Sequence, residues 1–217
     1  MLMELPIKDR ITAGRALAKA MANYRDRQDL LVLALPRGGV PVAYELAEAL
    51  HAPLDLMLVR KLGSPGQQEL AMGAIASGGV RVLNEELVSY LHVSEETLEK
   101  VAVREQKELE RRERAYRGDR PWPEILGKCV ILVDDGVATG ATMRVAIKAL
   151  RKQNPKEVVV AVPVAPPDTI EVLRREADDV VCLAMPEPFT AIGLWYVNFS
   201  QVSDEEVTEQ LERAWKP

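Results

Sequence analysis

The hydrophobic positions of this chain fall into short unbroken runs that alternate with segments of helical spacing. An amphipathic stretch over 11–24 predicts a first helix. The run "DLLVLAL" at 29–35 predicts a buried strand, and "GVPVAYELAEAL" after it sets Val40, Ala43, Tyr44, Ala47 and Leu50 on one helical face. "APLDLMLVR" at 52–60 predicts a second strand. The segment "KLGSPGQQELAMG" at 61–73 has neither period and carries Gly, Pro and Gln, so it predicts a mobile loop. "AIASGGVRVL" predicts a hairpin turning at Gly78 and Gly79.

Asn84 is placed to cap a short helix, and Ser94 a longer one that runs to about Tyr116 with Leu98, Val101, Ala102, Leu109 and Tyr116 as its apolar stripe. The other faces of that helix are dense with Glu and Arg, which reads as a solvated surface of helical charge pairs before it reads as a partner site. "RPWP" at 120–123 breaks the chain, and regular alternation follows. A strand at 129–133 leads to a helix carrying Met143, Ala146, Ile147 and Leu150, a strand at 157–163 leads to a helix at 168–176, and a strand at 179–184 closes the series. Ser203 and Glu206 have capping-box spacing for a terminal helix with Val207, Leu211 and Trp215.

This alternation of Val- and Leu-rich strands with helices predicts a three-layer α/β fold, a mostly parallel sheet covered on both faces. Residues 84–121 are expected as a helical insertion in a single domain. In such sheets ligands bind beyond the carboxyl ends of the strands, where the winding direction reverses. The strand at 29–35 is expected beside the strand at 129–133, so that the loops "PRGGV" and "DDGVATGAT" share one crevice.

Composition narrows the class without changing the fold. The chain has 217 residues, 47% of them hydrophobic and 28% charged, as in an ordinary soluble domain. A net charge of −5 argues against a broad nucleic-acid surface, though not against a local basic pocket. Cys129 and Cys182 sit in apolar runs and read as reduced core residues, and the two histidines, His51 and His92, offer no metal-ligand spacing. No run is long enough to span a bilayer and no signal-peptide layout opens the chain, so a cytoplasmic protein is expected.

The chemistry is concentrated in the two loops. Gly136, Val137, Ala138, Thr139, Gly140, Ala141 and Thr142 join a strand to a helix N-terminus, where free amides and the helix dipole favour a phosphate. The loop lacks the Gly-Lys-Ser/Thr ending of a Walker A motif. A plain turn accounts for the glycines but not for Asp134 and Asp135, which repel each other and lose hydration at a strand end. A ligand with a vicinal diol and an associated cation uses both acids, and a ribose 5-phosphate fits the whole stretch. In "LPRGGVPV", Gly38 and Gly39 beside Arg37 form a second anion cradle, and equally a Pro/Gly turn that opens a helix with Arg37 in solvent. Arg60 and Lys61 end the neighbouring strand and add two cations toward the same edge.

"VILVDDGVATGAT" resembles the phosphoribosyl pyrophosphate (PRPP) motif of type I phosphoribosyltransferases. "PRGGV" resembles their pyrophosphate loop and "VRKLGSPG" their basic strand end with its flexible catalytic loop. The likeness covers nearly the whole chain and is nearest to a group of uncharacterised bacterial and archaeal phosphoribosyltransferases, some joined to a hydrolase domain. It implies that Asp134 and Asp135 bind the ribose hydroxyls and meet Mg²⁺ only through PRPP and water. It implies that the loop through Thr142 wraps the 5-phosphate, and that Arg37, Gly38, Gly39, Arg60 and Lys61 hold pyrophosphate, with a non-proline cis peptide in the first of these loops. A loop at 63–72 would close over the site, bringing Glu69 or Gln68 near the reaction. A hood at 185–217 would cover the base, with Phe189, Trp195 and Tyr196 as stacking candidates, although core or dimer packing explains those aromatics equally. The resemblance further implies a homodimer, and an acceptor that is a nucleobase. Two departures bear on that acceptor. Ala138 stands where the hypoxanthine-guanine branch has a third acid, and "AVPVAPP" lacks that branch's lysine, so its device for reading a 6-oxopurine is missing.

Two other functions share some of these features. A PRPP- or nucleotide-sensing regulator would keep the acids and the phosphate loop but has no need of Lys61 or a closing loop. A Rossmann-type cofactor binder would need Gly-x-Gly-x-x-Gly, which neither loop has, and gives the double aspartate no role.

Overall fold

In the computed structural model, residues 3–216 are described, apart from the side chains of Gln68 and Glu69. The chain begins with α1 (Arg10–Ala20), capped by the Asp9 carboxylate on the Thr12 amide and followed by a tight turn at Ala22–Tyr24. Then come β1 (Leu30–Ala34), α2 (Gly39–Leu50) and β2 (Leu54–Leu56). Next are β3 (Val59–Ser64), β4 (Gln67–Ala76), β5 (Val80–Leu83), α3 (Glu85–Tyr90) and α4 (Glu95–Arg117). The remaining elements are β6 (Cys129–Val133), α5 (Ala141–Arg151), β7 (Glu157–Val164), α6 (Pro167–Glu176), β8 (Asp179–Ala184) and α7 (Asp204–Ala214).

Two compact units result, one from the residues up to Met57 together with those from Pro123 onward, the other from Leu58–Trp122. The first holds a five-stranded sheet in the order β2-β1-β6-β7-β8, parallel throughout. β1 and β6 are buried along their full length, as strands covered on both faces must be. Helices α1, α2 and α7 pack together, as do α5 and α6. On α5, Met143, Ala146, Ile147 and Leu150 are buried at helical spacing, and full burial of each large side chain contributes about 1.5–3 kcal/mol. The close crossing of α1 and α2 depends on Gly14, where a Cβ would come within 2.6 Å of the Val42 carbonyl.

Sequence order reverses between β1 and β6, which lie side by side in the expected register from Leu30–Cys129 to Ala34–Val133. The chain steps from β1 outward to β2, then crosses to the far side of β1 and proceeds through β6, β7 and β8. Both glycine loops leave the carboxyl ends of this central pair, and the Leu35 amide still donates to the Val133 carbonyl at 2.9 Å. The expected adjacency of the two loops is therefore a consequence of topology.

The second unit corrects two expectations. The predicted strand at 52–60 is two strands, β2 in the parallel sheet and β3 in an antiparallel sheet of order β3-β4-β5. The segment expected as a mobile loop is the β3–β4 hairpin: Ser64 pairs with Gln67 across Pro65 and Gly66, and Gly66 has φ +75°. Pro followed by a positive-φ Gly is the signature of a type II turn, and register shifts on either side of Gly63 break the strand period that would have revealed it. The Ser64 hydroxyl donates to the Leu70 carbonyl at 2.7 Å and secures the irregular part. The expected hairpin at Gly78 and Gly79 joins β4 to β5. The caps Asn84, Ser94 and Ser203 all form, the last in a full capping box with Glu206. No helix among the described residues is long and apolar enough to cross a membrane.

Candidate functional site

The loop after β6 is built to leave amides open. Gly140 adopts φ +75° and caps α5 without a side-chain bond, and the Val137 amide is tied back to the Val164 carbonyl at 3.0 Å. Thr169 donates to the Ala138 carbonyl at 2.7 Å, which fixes the orientation of that peptide. Among the described residues the N–H groups of Ala138, Thr139, Gly140, Thr142 and Met143 have no protein acceptor, while the Ala141 amide reaches the Thr139 hydroxyl at 3.4 Å. Ala138, Thr139, Ala141 and Thr142 are exposed or border exposed positions of the loop. Open amides at a helix start favour a negatively charged group.

Across from it, the loop after β1 carries a cis peptide between Pro36 and Arg37, as the resemblance implied. The Gly38 Cα lies against the Asp135 carboxylate, and a Cβ at that position would come within 2.6 Å of the Asp135 Cγ. Gly39 is equally confined: a Cβ there would meet the Val133 carbonyl at 2.7 Å and Asp134 Oδ1 at 3.3 Å. Both glycines are thus explained by close approach of one loop to the other. Arg37 is partly exposed, with one guanidinium nitrogen 3.7 Å from Asp204 at the start of α7.

The two aspartates are unlike. Asp134 is half-buried and its Oδ1 accepts the Asp135 amide at 2.8 Å. Burial and the negative Asp135 push the Asp134 carboxyl well above the usual carboxylate range, against the opposing pull of Arg10. Asp135 is only 6% exposed, and its Oδ2 accepts from Arg10 Nε at 2.8 Å. Asp135 therefore does not face open solvent, and its buried carboxylate is stable because it has a partner.

Arg10 is the residue that sequence reading missed. Its Nη1 donates to the Ser200 carbonyl at 2.7 Å, and its guanidinium lies 4.0 Å from the Phe199 ring centroid. No local pattern marks a partner 125 residues away.

Of the hood aromatics, Phe189 and Trp195 are partly exposed and form a tilted pair with centroids 6.1 Å apart. Tyr196 is buried and donates to the Asp135 carbonyl at 2.6 Å, so it offers no open face for stacking. Ile192 reaches the loop directly, since a Cβ on Gly136 would come within 2.6 Å of its Cγ2.

The basic strand end belongs to the second unit. The Arg60 guanidinium is engaged there by the buried Glu105 of α4, with Nε 2.9 Å from Oε2. Lys61 is exposed on β3 opposite Ala74. The side chains of Glu69 and Gln68 lie outside the described residues.

No cluster of three or more His, Cys, Asp or Glu side chains suited to a metal ion occurs among the described residues. The donor set at Asp134 is one half-open carboxylate beside amide donors. That set fits a cation carried by the ligand's own oxygens and water.

Fold and loops define a doubly wound α/β protein with open amides at its switch point. Residues 6–195 match the phosphoribosyl transferase domain. The chain belongs to that family. Two Mycobacterium tuberculosis proteins, from strains H37Rv and CDC 1551 and each named provisionally as a phosphoribosyl transferase, are 46% identical to it over 206 residues. Those alignments cover 95% of this chain and 46% of the relatives, so the chain spans about half their length. The crystal structure of TT1426 from Thermus thermophilus is 43% identical, with a TM-score of 0.84 over 95% of this chain and 98% of that one. AQ2163 from Aquifex aeolicus, at 11% identity and a TM-score of 0.50 over 93% of this chain and 84% of that one, shares the fold alone.

Proposed function

We propose that this chain transfers the phosphoribosyl group of PRPP to an acceptor nitrogen, of the nucleobase class, with release of pyrophosphate. One observation carries the reading: at the β1/β6 switch point an uncapped helix start with open amides faces, across Asp134 and Asp135, a glycine turn bearing Arg37.

The 5-phosphate sits on the amides from Ala138 to Met143, helped by the Thr139 and Thr142 hydroxyls. Asp134 accepts hydrogen bonds from the ribose hydroxyls, and Asp135 stands braced beside it. Arg37 and the adjoining amides of the glycine turn take pyrophosphate oxygens. Mg²⁺ bound with the substrate would offset charge on the leaving pyrophosphate, and Asp134 would hold it indirectly, through PRPP and water. Breaking the anomeric bond develops oxocarbenium character at the sugar, beside the Asp134 carboxylate. The protein's contribution is positioning and charge rather than a covalent nucleophile. Phe189 and Trp195 supply partly open ring surface for a flat acceptor. The parts expected of Lys61, Arg60 and the 63–72 segment rest on the sequence resemblance, and the engagement of Arg60 by Glu105 favours Lys61 as the free cation of the pair.

The test is pyrophosphate release from PRPP with Mg²⁺ and a panel of nucleobases and other nitrogen acceptors. Release driven by one acceptor class supports transfer. PRPP binding without release for any acceptor points to the sensing role, and absence of PRPP binding overturns both.

A further inference from the structure

Outside the ligand loops lie a groove lined by Leu83, Glu85, Val88 and His92, and the exposed Leu194 and Val197, but nothing indicates what would cover either. The Arg10 contacts carry an argument further. Arg10 is the first residue of α1, and the Asp9 cap fixes where that helix starts. Its side chain is 11% exposed and the Asp135 side chain 9% exposed, so the pair is largely shielded from solvent. Its guanidinium donates to two segments that shape the site: Asp135 on the loop after β6, and Ser200 just past the hood aromatics. The same Asp135 carboxylate is also covered by Gly38 of the pyrophosphate turn.

A second tie runs parallel. The Tyr196 hydroxyl holds the Asp135 carbonyl, and the hood segment beside Tyr196 is paired with the N-terminal segment, with the Ile7 amide on the Trp195 carbonyl and the Val197 amide on the Ile7 carbonyl, each at 2.7 Å. The N-terminal segment and the hood therefore converge on one aspartate that the family motif would give to the sugar.

We infer that Arg10 is a positioning residue of the PRPP site: by holding the Asp135 carboxylate against Gly38 it sets the separation of the two ligand loops and ties them to the hood. Asp135 is then the brace and Asp134 the acid that meets the pentose. The inference rests on the PRPP reading above. Neutralising Arg10 leaves Asp135 buried without its partner, so that the carboxylate moves and the Gly38 turn moves with it. A lysine restores charge toward Oδ2 but cannot also span to Ser200 in the same geometry.

The experiment measures the Kd for PRPP with Mg²⁺ by calorimetry on the wild type, Arg10→Gln, Arg10→Lys, Asp135→Asn and the Arg10→Gln/Asp135→Asn double variant, with a thermal midpoint for each. Arg10→Gln is expected to weaken PRPP about tenfold, Arg10→Lys to recover most of that loss, and the double variant to be no weaker than the worse single one, because contacting groups are not additive. A lowered midpoint with unchanged Kd in Arg10→Gln marks a purely structural pair and overturns the inference, as do single-variant losses that multiply. Failure of the wild type to bind PRPP removes the functional reading, and this inference with it.

Discussion

Gly38 and Asp135 are in direct contact, the Cα of one closed against the carboxylate of the other, so that the turn after β1 and the loop after β6 have a fixed separation. Gly38 has φ −60°, a conformation any residue adopts, so its requirement is for space alone. Gly38→Ala is therefore expected to force the two loops apart. It should cost about 1–3 kcal/mol in urea unfolding, as overpacking does, and weaken PRPP binding more than thermal stability alone would explain.

Asp134 carries a different prediction. Its carboxyl is raised by burial and by Asp135, so the folded state binds this proton more tightly than the unfolded chain does. The stability it contributes is full below its unfolded pKa, about 4, and is lost as pH rises through the folded value. Asp134→Asn keeps the oxygen that accepts the Asp135 amide and removes the charge. At neutral pH that variant should unfold at higher urea than the wild type, by about 0.5–2 kcal/mol, while losing PRPP binding. The two stability curves should converge in acid.

In the second unit Glu105 is buried under Arg60 and Arg104. Burial pulls its carboxyl upward, but the two guanidiniums outweigh that and hold it below its ordinary value. Glu105→Gln should destabilise on the order of 2 kcal/mol, less than a fully enclosed pair because Arg60 retains some exposure. The contribution is present above the unfolded pKa and lost as pH falls through the lowered folded value, so the difference from wild type should shrink in acid. Hydrogen exchange of amides within Leu58–Trp122 should report the loss most strongly.

These residues mark what the sequence made legible. The strands β1 and β6, the two glycine loops and the helix caps follow from runs and spacings inside single strand–loop–helix stretches. Arg10, Tyr196 and Glu105 do not. Each is defined by a partner far along the chain, and each sits in a segment whose local pattern has another explanation: a helix start, an aromatic cluster, a charged helix. The 61–73 hairpin was hidden for a local reason, since the register shifts around Gly63 and the polar run after Gly66 erase its alternation. Its Ser-Pro-Gly-Gln turn was the one available signal. The unequal burial of Asp134 and Asp135 was out of reach as well, because adjacent residues point to different surroundings and only the fold says which.

The most direct measurement of the central claim is a calorimetric titration of PRPP with Mg²⁺ into the protein, repeated in the presence of ribose 5-phosphate. Saturable binding at one site per chain, displaced by ribose 5-phosphate and lost in Asp134→Asn, is the predicted result. No heat of binding from a folded wild-type protein, or binding that ribose 5-phosphate and Asp134→Asn leave unchanged, would contradict a sugar-phosphate site between these two loops.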